Sequence, residues 1–301
     1  MPKVQEHISF FEQISRNKRN SIILMLAIIA VFVLLAYVIG LIYQQDAFII
    51  LIAGIVISIL YVWIGYYNSD KIALASVSAK AAPREQYRQY YNSVEGLCLA
   101  SGMPMPKLHI MQNSEVNAFA TGRNPENAVI CVTSGALEKL NKSELEGVLG
   151  HELSHIANYD IRFMTLVAVL VGMIAIISEI FLRSLRYKNS NSEGKGSAVF
   201  LIIGIVLAIL APIFVQLVQL AISRKREYLA DSSSVKFTRY PKGLISALTK
   251  IKNEHVPSDE LKKFNKATAP LFIADPFKRR IQGLFQTHPP IEERIKILER
   301  M

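Results

Sequence analysis

The chain has 301 residues, a formal net charge of +10 and a mean hydropathy of +0.29; 51% of its residues are hydrophobic and only 19% are charged. This apolarity is high for a soluble domain and predicts an integral membrane protein in contact with the lipid bilayer. The positive charge does not indicate a nucleic-acid partner, because the basic residues often flank apolar segments, where they favour anionic headgroups. Two cysteines, Cys98 and Cys131, fit a reduced cytoplasmic domain rather than a disulfide framework.

The first two apolar segments are residues 22–43 and 48–67, and neither contains a charged residue. Only a short link separates them. Each is about twenty residues long, which is enough to cross a bilayer core of roughly 30 Å. The first is too long for the apolar core of a signal peptide and lacks a small-residue cleavage site. Basic residues flank this hairpin but are absent from its loop, so the positive-inside rule predicts that the N-terminus and the chain after residue 67 face the cytoplasm.

A small mixed domain is predicted next. Residues 84–100 have the apolar spacing of a helix, with five side chains on its buried face: Tyr87, Tyr90, Tyr91, Val94 and Leu97. Three β-rich runs follow at 107–111, 116–120 and 128–133, with a turn at 123–127 between the last two. They predict a small sheet that packs beside the next helix.

That next helix has a clear start. Asn141 is a good N-cap with Glu144 three positions later, and apolar residues then recur at three- and four-residue spacing. No proline interrupts the chain until beyond residue 182, so the helix is predicted to run continuously into a third apolar segment.

The helix carries the sequence His151-Glu152-Leu153-Ser154-His155. Two imidazoles four residues apart share one helix face, which is the geometry that holds a zinc ion. Glu152 can take a proton from the water that attacks a peptide carbonyl. Roughly one in a hundred chains of this length carries such a motif by accident, so it needs a helical context and a third ligand.

A third and a fourth apolar run lie at residues 163–182 and 198–222. Two crossings return the chain to the compartment it left, so a ligand beyond residue 222 arrives on the same side as the histidines. The loop between the runs is basic, which is the wrong sign for an exported loop, so a hairpin that is embedded without crossing is the alternative to four spans. Glu179 in the third run either snorkels or faces a neighbouring helix, and a functional role is the alternative.

Glu227 and Asp231 follow the fourth run and are four residues apart, so on a helix both carboxylates face the same way. One can bind the metal while the other accepts the ring N–H of a ligating histidine. The alternative is a surface helix whose charges pair along its length.

Four segments together resemble the HtpX-type membrane-bound zinc metalloproteases, which are relatives of the CAAX prenyl proteases. The segments are 151–155, 223–231, 117–122 and the Thr287-His288-Pro289-Pro290 run with Arg294 and Ile295. The resemblance covers nearly the whole chain. It implies that His151, His155 and Glu227 bind one Zn²⁺ per chain, that Glu152 is the general base, and that Asp231 orients a zinc-binding histidine.

The resemblance also implies a place for the substrate. In metalloproteases of this kind an edge strand holds the substrate by main-chain pairing, and Asn117, Ala118, Phe119 and Ala120 match that strand. Without the resemblance these residues are an ordinary edge strand. His288 either belongs to a surface loop or donates to the oxyanion that forms on the scissile carbonyl.

The predicted architecture is a mainly α integral membrane protein with four transmembrane helices and a cytoplasmic α+β zinc-metallopeptidase domain that contains a small β-sheet. Residues 1–67 form an N-terminal segment and a transmembrane hairpin, and residues 163–222 form a second hairpin. Residues 68–162, with the HExxH motif, and residues 223–301, with the third zinc ligand, form the two parts of the peptidase domain.

The predicted function is a zinc-dependent endopeptidase of the bacterial plasma membrane. The resemblance implies a role in membrane protein quality control, in which polypeptides of misfolded or damaged membrane proteins are cut at the cytoplasmic face. One alternative is a CAAX-type prenyl-protein protease, although that class typically has more spans. Another is a non-catalytic zinc-binding sensor or scaffold, against which Glu152 argues because a structural site needs no base.

Overall fold

Two long helices begin the fold and coincide with the first two apolar runs. The computed structural model describes residues 10–42, 46–170, 224–254, 272–273 and 289–301. Helix α1 covers Phe10–Ile42 and helix α2 covers Ala47–Tyr67. The two pack side by side as an antiparallel hairpin.

The hairpin exposes a large apolar surface. Buried residues make up only 22% of the apolar window in α1 and 11% in α2. The core helix of a soluble protein would be mostly buried, so this surface fits contact with lipid. The 21 residues of α2 extend about 32 Å, close to the thickness of a bilayer core. Both are candidate membrane spans; of the third and fourth apolar runs, only residues 163–170 lie within the described part of the chain.

Helix α1 begins well before its apolar run. Its 33 residues extend about 50 Å, which is longer than the bilayer core. The additional turns carry Asn17 and Ser21, and both side chains are buried. The predicted charged flank of the first span is therefore a helical extension that reaches into the rest of the protein.

A four-stranded mixed sheet follows α3 (Ser69–Ser76). Its strands are β1 (Lys80–Ala81), β2 (Lys107–Met111), β3 (Ala118–Gly122) and β4 (Ala128–Thr133), in the order β1-β2-β4-β3. Strands β2 and β4 are parallel, and the other two pairs are antiparallel. The predicted bounds of β2 and β4 are confirmed, whereas β3 starts two residues later than predicted, and the two-residue β1 has no pattern that would reveal it.

Helix α4 covers Arg88–Ser101 and packs its apolar face on the sheet and on α6. It begins four residues later than predicted because Pro83–Tyr87 form a turn, in which the Tyr87 N–H donates to the Pro83 carbonyl at 3.1 Å. The predicted face is otherwise correct. Tyr90, Val94 and Leu97 are buried, and Tyr87 and Tyr91 pack against the same core.

After the short helix α5 (Ser134–Lys139), helix α6 covers Lys142–Ala157 and carries the His-Glu-x-x-His motif. The predicted capping box is confirmed: Asn141 Oδ1 accepts the Glu144 N–H at 3.0 Å, and Glu144 Oε2 accepts the Asn141 N–H at 2.8 Å. The helix is buried along most of its length between the sheet and the helices around it.

The prediction of a continuous helix beyond the motif is wrong. Helix α6 ends at Ala157, and a new helix, α7, starts at residue 160 and is described to residue 170. The break is at Tyr159, whose φ of 58° is left-handed and is unfavourable for a bulky residue. On a straight helix, Asp160 would be rotated about 140° away from His155. The break therefore changes which side chains can face the second histidine.

The remaining described helices are α8 (Arg224–Thr238), α9 (Pro241–Asn253) and α10 (Ile291–Leu298). Helix α8 packs along α6 at close range, and Ser234 Oγ donates to the Gly147 carbonyl at 2.6 Å. Glycine is required at this crossing, because a Cβ on Gly150 would come within 2.8 Å of Ser234 Oγ. This close approach brings the start of α8 beside the two histidines.

Candidate metal centre

Three predicted ligands meet where α8 crosses α6. One ligand atom each from His151, His155 and Glu227 lie within 4.8 Å of one another, and all three residues are buried. The two Nε2 atoms are 3.2 Å apart. Glu227 Oε2 is 3.5 Å from His151 Nε2, and Glu227 Oε1 is 3.6 Å from His155 Nε2.

These separations fit a zinc ion. Two ligands that each lie about 2.1 Å from a tetrahedral ion are about 3.4 Å apart. The measured separations of 3.2, 3.5 and 3.6 Å are close to that value. Two imidazoles and one carboxylate are also the donor set of a catalytic zinc site, which keeps its fourth position for water or substrate.

The charges around the cluster also fit a divalent cation. The described residues bury four carboxylates and two guanidinium groups around it: Glu152, Asp160, Glu227 and Asp231, with Arg226 and Arg294. When all are ionised, two negative charges remain. Buried charges must be compensated, and one divalent cation would neutralise this excess.

Asp231 contacts the ring of His151 at Nδ1, the nitrogen opposite the one that lies in the cluster. Its Oδ1 is 2.9 Å from His151 Nδ1, and a carboxylate only accepts hydrogen bonds, so Nδ1 carries a proton and, in the neutral imidazole, Nε2 has the free lone pair. Burial favours a raised pKa for Asp231, but the Arg294 charge and hydrogen bonds from Arg294 and His151 lower it below its ordinary value. Asp231 is therefore a carboxylate that fixes the ring of His151.

Arg294 completes this arrangement from the last helix. Its side chain is fully buried, and its Nε and Nη2 donate to the two oxygens of Asp231 at 2.9 and 2.6 Å. Burial lowers the pKa of Arg294, but the charges of Asp231, Glu227 and Glu152 outweigh it and raise the pKa above its ordinary value. Arg294 belongs to a motif that the sequence singled out, but its contact with Asp231 was not predicted.

Asp160 does for His155 what Asp231 does for His151. Asp160 Oδ2 is 3.0 Å from His155 Nδ1, and the carboxylate is fully buried. The sequence reasoning missed this residue because a continuous helix places it on another face. The break at Tyr159 is what turns Asp160 towards the ring.

The protonation of His151 depends on its carboxylate partners. Burial and the Arg294 charge lower its pKa, but hydrogen bonds to Asp231 and Glu227 outweigh them and raise the pKa to about 9. A metal ligand must be the neutral imidazole, so a proton competes with metal at His151 below about pH 9. Glu152, the predicted base, directly follows His151 on the same helix, and its side chain is buried.

The predicted substrate-binding segment lies on the edge strand β3, but its residues differ in what they present. Asn117 faces β4: its carbonyl accepts the Thr133 N–H at 3.0 Å, and its N–H donates to Thr133 Oγ1 at 3.0 Å. Ala118 presents its carbonyl to the outer edge. Asn117 is therefore not placed to pair with a substrate strand through its own main chain.

The outer edge of β3 already has a neighbour. The Ala118 carbonyl accepts the N–H of Ile273 at 2.9 Å, and Phe119 forms an antiparallel bridge with Phe272. The two phenylalanine rings are 5.0 Å apart. Phe272 and Ile273 thus cover part of the edge that the sequence assigned to the substrate. The two remaining predictions, for His288 and Glu179, lie outside the described residues.

The family model and the similar proteins point to the same family. The family described as Peptidase family M48 matches residues 84–301. A protease HtpX homolog of Dictyoglomus thermophilum is 41% identical over 97% of this chain and 95% of its own length. Another, of Thermoanaerobacter pseudethanolicus, is 47% identical over 81% of this chain and 82% of its own length.

The fold has a counterpart among solved structures. The crystal structure of S. mikatae Ste24p aligns with a TM-score of 0.51 and 19% identity, over 96% of this chain and 67% of that one. At this identity the likeness concerns the fold alone. The predicted resemblance to the HtpX proteases is confirmed by the sequence relatives, and the chain belongs to peptidase family M48 as a membrane-bound metalloprotease.

Proposed function

We propose that the protein is a zinc-dependent endopeptidase that cuts misfolded or damaged membrane proteins on the cytoplasmic side of the bacterial plasma membrane. The observation that carries this proposal is the buried cluster of His151, His155 and Glu227, with Glu152 between the histidines on the same helix. The names of the HtpX relatives support a protease. The exposed apolar hairpin supports an activity at a membrane.

In this proposal His151, His155 and Glu227 hold one zinc ion. The ion, when bound, polarises the scissile carbonyl and lowers the pKa of water at its open position. Asp231 and Asp160 keep both Nδ1 atoms protonated and both Nε2 lone pairs directed at the centre. Glu152 accepts the proton of the attacking water and later passes a proton to the leaving amine.

The substrate in this proposal extends along the outer edge of β3. Main-chain pairing gives affinity that depends little on side chains, which suits the varied segments of unfolded proteins. Phe272 and Ile273 lie on the same edge, so a substrate strand has to compete with them.

We therefore expect Phe272→Ala to lower KM by roughly 2- to 10-fold with little change in kcat. An aromatic pair contributes about 0.5–1.5 kcal/mol beyond area burial, and its loss weakens the competing strand. The matched control is Phe32→Ala, which removes one ring of a pair whose centroids are also 5.0 Å apart but lie in the membrane hairpin. A rise in KM for Phe272→Ala alone would contradict competition and make Phe272 part of the substrate site.

The proposed function is tested with two substrates and a chelator. We expect the purified full-length protein to cleave an unfolded membrane protein, to lose this activity with chelator and to regain it with added zinc. A prenylated C-terminal peptide should remain uncut. Cleavage of the prenylated peptide alone would identify the CAAX-type alternative, and zinc binding without cleavage of either substrate would identify the sensor or scaffold alternative.

Topology is tested by single cysteines in a chain whose two native cysteines, both buried, are replaced by alanine. With four spans, an impermeant thiol reagent outside the cell should label Gln45→Cys and Ser190→Cys. It should not label Leu99→Cys, although Leu99 is 86% exposed, because α4 is cytoplasmic in this proposal. Labelling of Ser190→Cys only from inside would favour the embedded hairpin, and labelling of Leu99→Cys from outside would overturn the proposed orientation.

A further inference from the structure

A line of buried polar contacts connects the N-terminal helix to the metal centre. It starts at Asn17 in the extension of α1, where the side chain is only 3% exposed. Asn17 Nδ2 donates to Asp160 Oδ1 at 2.6 Å and to the Asn158 carbonyl at 3.0 Å. The amide thus binds both the residue that directly follows α6 and the residue that starts α7.

The second oxygen of the same carboxylate faces the metal centre. Asp160 Oδ2 is 3.0 Å from His155 Nδ1. Asn17 holds Oδ1 and leaves Oδ2 for the imidazole, so the amide determines the rotation of the carboxylate. The orientation of the His155 ring then depends on a residue that is 143 positions from Asp160 in the sequence.

The other end of the Asn17 amide contacts α8. Asn17 Oδ1 accepts from Arg226 Nη1 at 3.4 Å, and the same Nη1 is 3.8 Å from Asp160 Oδ1. Arg226 directly precedes Glu227, the third residue of the cluster. A carboxamide carries a donor and an acceptor on one group, so it can serve a carboxylate and a guanidinium group at once.

The helix that carries Asn17 is held firmly. Two and three turns beyond it, Leu24 and Ile28 are buried in a core that also contains Phe163 and Val167 of α7. Tyr61 of α2 donates to the carbonyl of residue 170 at 2.8 Å. Both helices of the membrane hairpin are therefore packed against the helix that Asp160 begins.

We propose that Asn17 is a positioning residue of the metal centre, through which the first membrane helix orients His155 and supports Arg226 beside Glu227. The membrane hairpin is then a part of the catalytic apparatus as well as an anchor. This inference rests on the proposed function, because it takes His155 as a ligand. It goes beyond that function because it assigns a role in the centre to the N-terminal helix.

The test uses full-length protein with Asn17→Ala and with Asn17→Leu, which fills the volume of the amide without its hydrogen bonds. We expect each variant to lose about 10- to 100-fold in zinc affinity or in kcat, the usual loss when the partner of a ligating histidine is disturbed. KM should stay nearly constant. The visible spectrum of the cobalt-loaded protein should change, because it reports the arrangement of the ligands.

The control is Ser58→Ala, which removes a buried hydroxyl of the same hairpin that donates to the Ile55 carbonyl at 2.8 Å within α2. It should keep zinc affinity, kcat and the cobalt spectrum of the unchanged protein. If Ser58→Ala and Asn17→Ala lose activity equally and neither alters the cobalt spectrum, Asn17 has only a structural role and the inference is overturned. The same conclusion follows if Asn17→Leu folds and keeps the zinc affinity, the kcat and the cobalt spectrum of the unchanged protein.

A double-mutant cycle identifies the route. If Asn17 acts through Asp160, the variant with both Asn17→Ala and Asp160→Asn should bind zinc about as weakly as Asp160→Asn alone. If the loss of zinc affinity in the double variant is the product of the two single losses, the inference is overturned. The proposed function fails in a different way: His155→Ala would keep stoichiometric zinc, or the unchanged protein would bind zinc without cleaving any polypeptide.

Discussion

Replacement of Glu152 by Gln is expected to lower kcat by about 10²- to 10⁴-fold, the usual contribution of a general base. The amide keeps the size and shape of the side chain but cannot accept the proton of the attacking water. The three residues of the cluster are unchanged, so the variant should still bind one zinc ion per chain. The measurements are single-turnover cleavage of an unfolded membrane protein and the metal content of the same preparation.

Glu146→Gln is the matched control for this change. Glu146 lies on the same helix, and its carboxylate is 3.8 Å from Lys142 Nζ in a partly exposed pair, which contributes at most about 1 kcal/mol to stability. The activity of the Glu146→Gln variant should equal that of the unchanged protein. Substantial cleavage by Glu152→Gln would refute the assignment of Glu152 as the base, and loss of zinc from that variant would show that Glu152 supports the metal.

The second large effect separates the two carboxylates of α8. We expect Glu227→Ala to abolish stoichiometric zinc binding, because it removes one of the three proposed ligands. Asp231→Ala should cost only about 10- to 100-fold in metal affinity or activity, since His151 loses its orienting partner but keeps its Nε2. Equilibrium dialysis against a zinc chelator measures the zinc affinity of both variants.

The structure adds an expectation for stability. Asp231 binds the fully buried guanidinium of Arg294 through both of its oxygens. Removal of one partner of a buried ion pair costs about 3–5 kcal/mol, so Asp231→Ala should also lower the melting temperature. Asp231→Asn retains the volume and serves as the milder variant. If Asp231→Ala empties the site while Glu227→Ala leaves the metal content unchanged in a folded protein, the ligand is Asp231, one helical turn from the proposed position.

The sequence alone determined the features that depend on near neighbours in the chain. Helical periodicity and length predicted the two apolar helices, and the residues at both ends of the capping box predicted the start of α6. Side chains four residues apart on a helix share a face. Spacing therefore predicted that His151 and His155 share one helix face and that Glu227 and Asp231 share a face of a second helix. The resemblance to a known family related the two pairs to one another.

Only the tertiary structure decided what surrounds these residues. Asp160 reaches His155 because the chain breaks at Tyr159, and Asn17 reaches Asp160 across 143 positions of sequence. Arg294 reaches Asp231 across 63 positions, and the partners of β3 at its outer edge come from 272–273. Such contacts leave no local period, because they depend on how distant helices pack. The spacing of side chains within one helix is therefore local in sequence, whereas the meeting of α6 with α8 and the contacts of Asp160, Arg294 and Asn17 are decided by the fold.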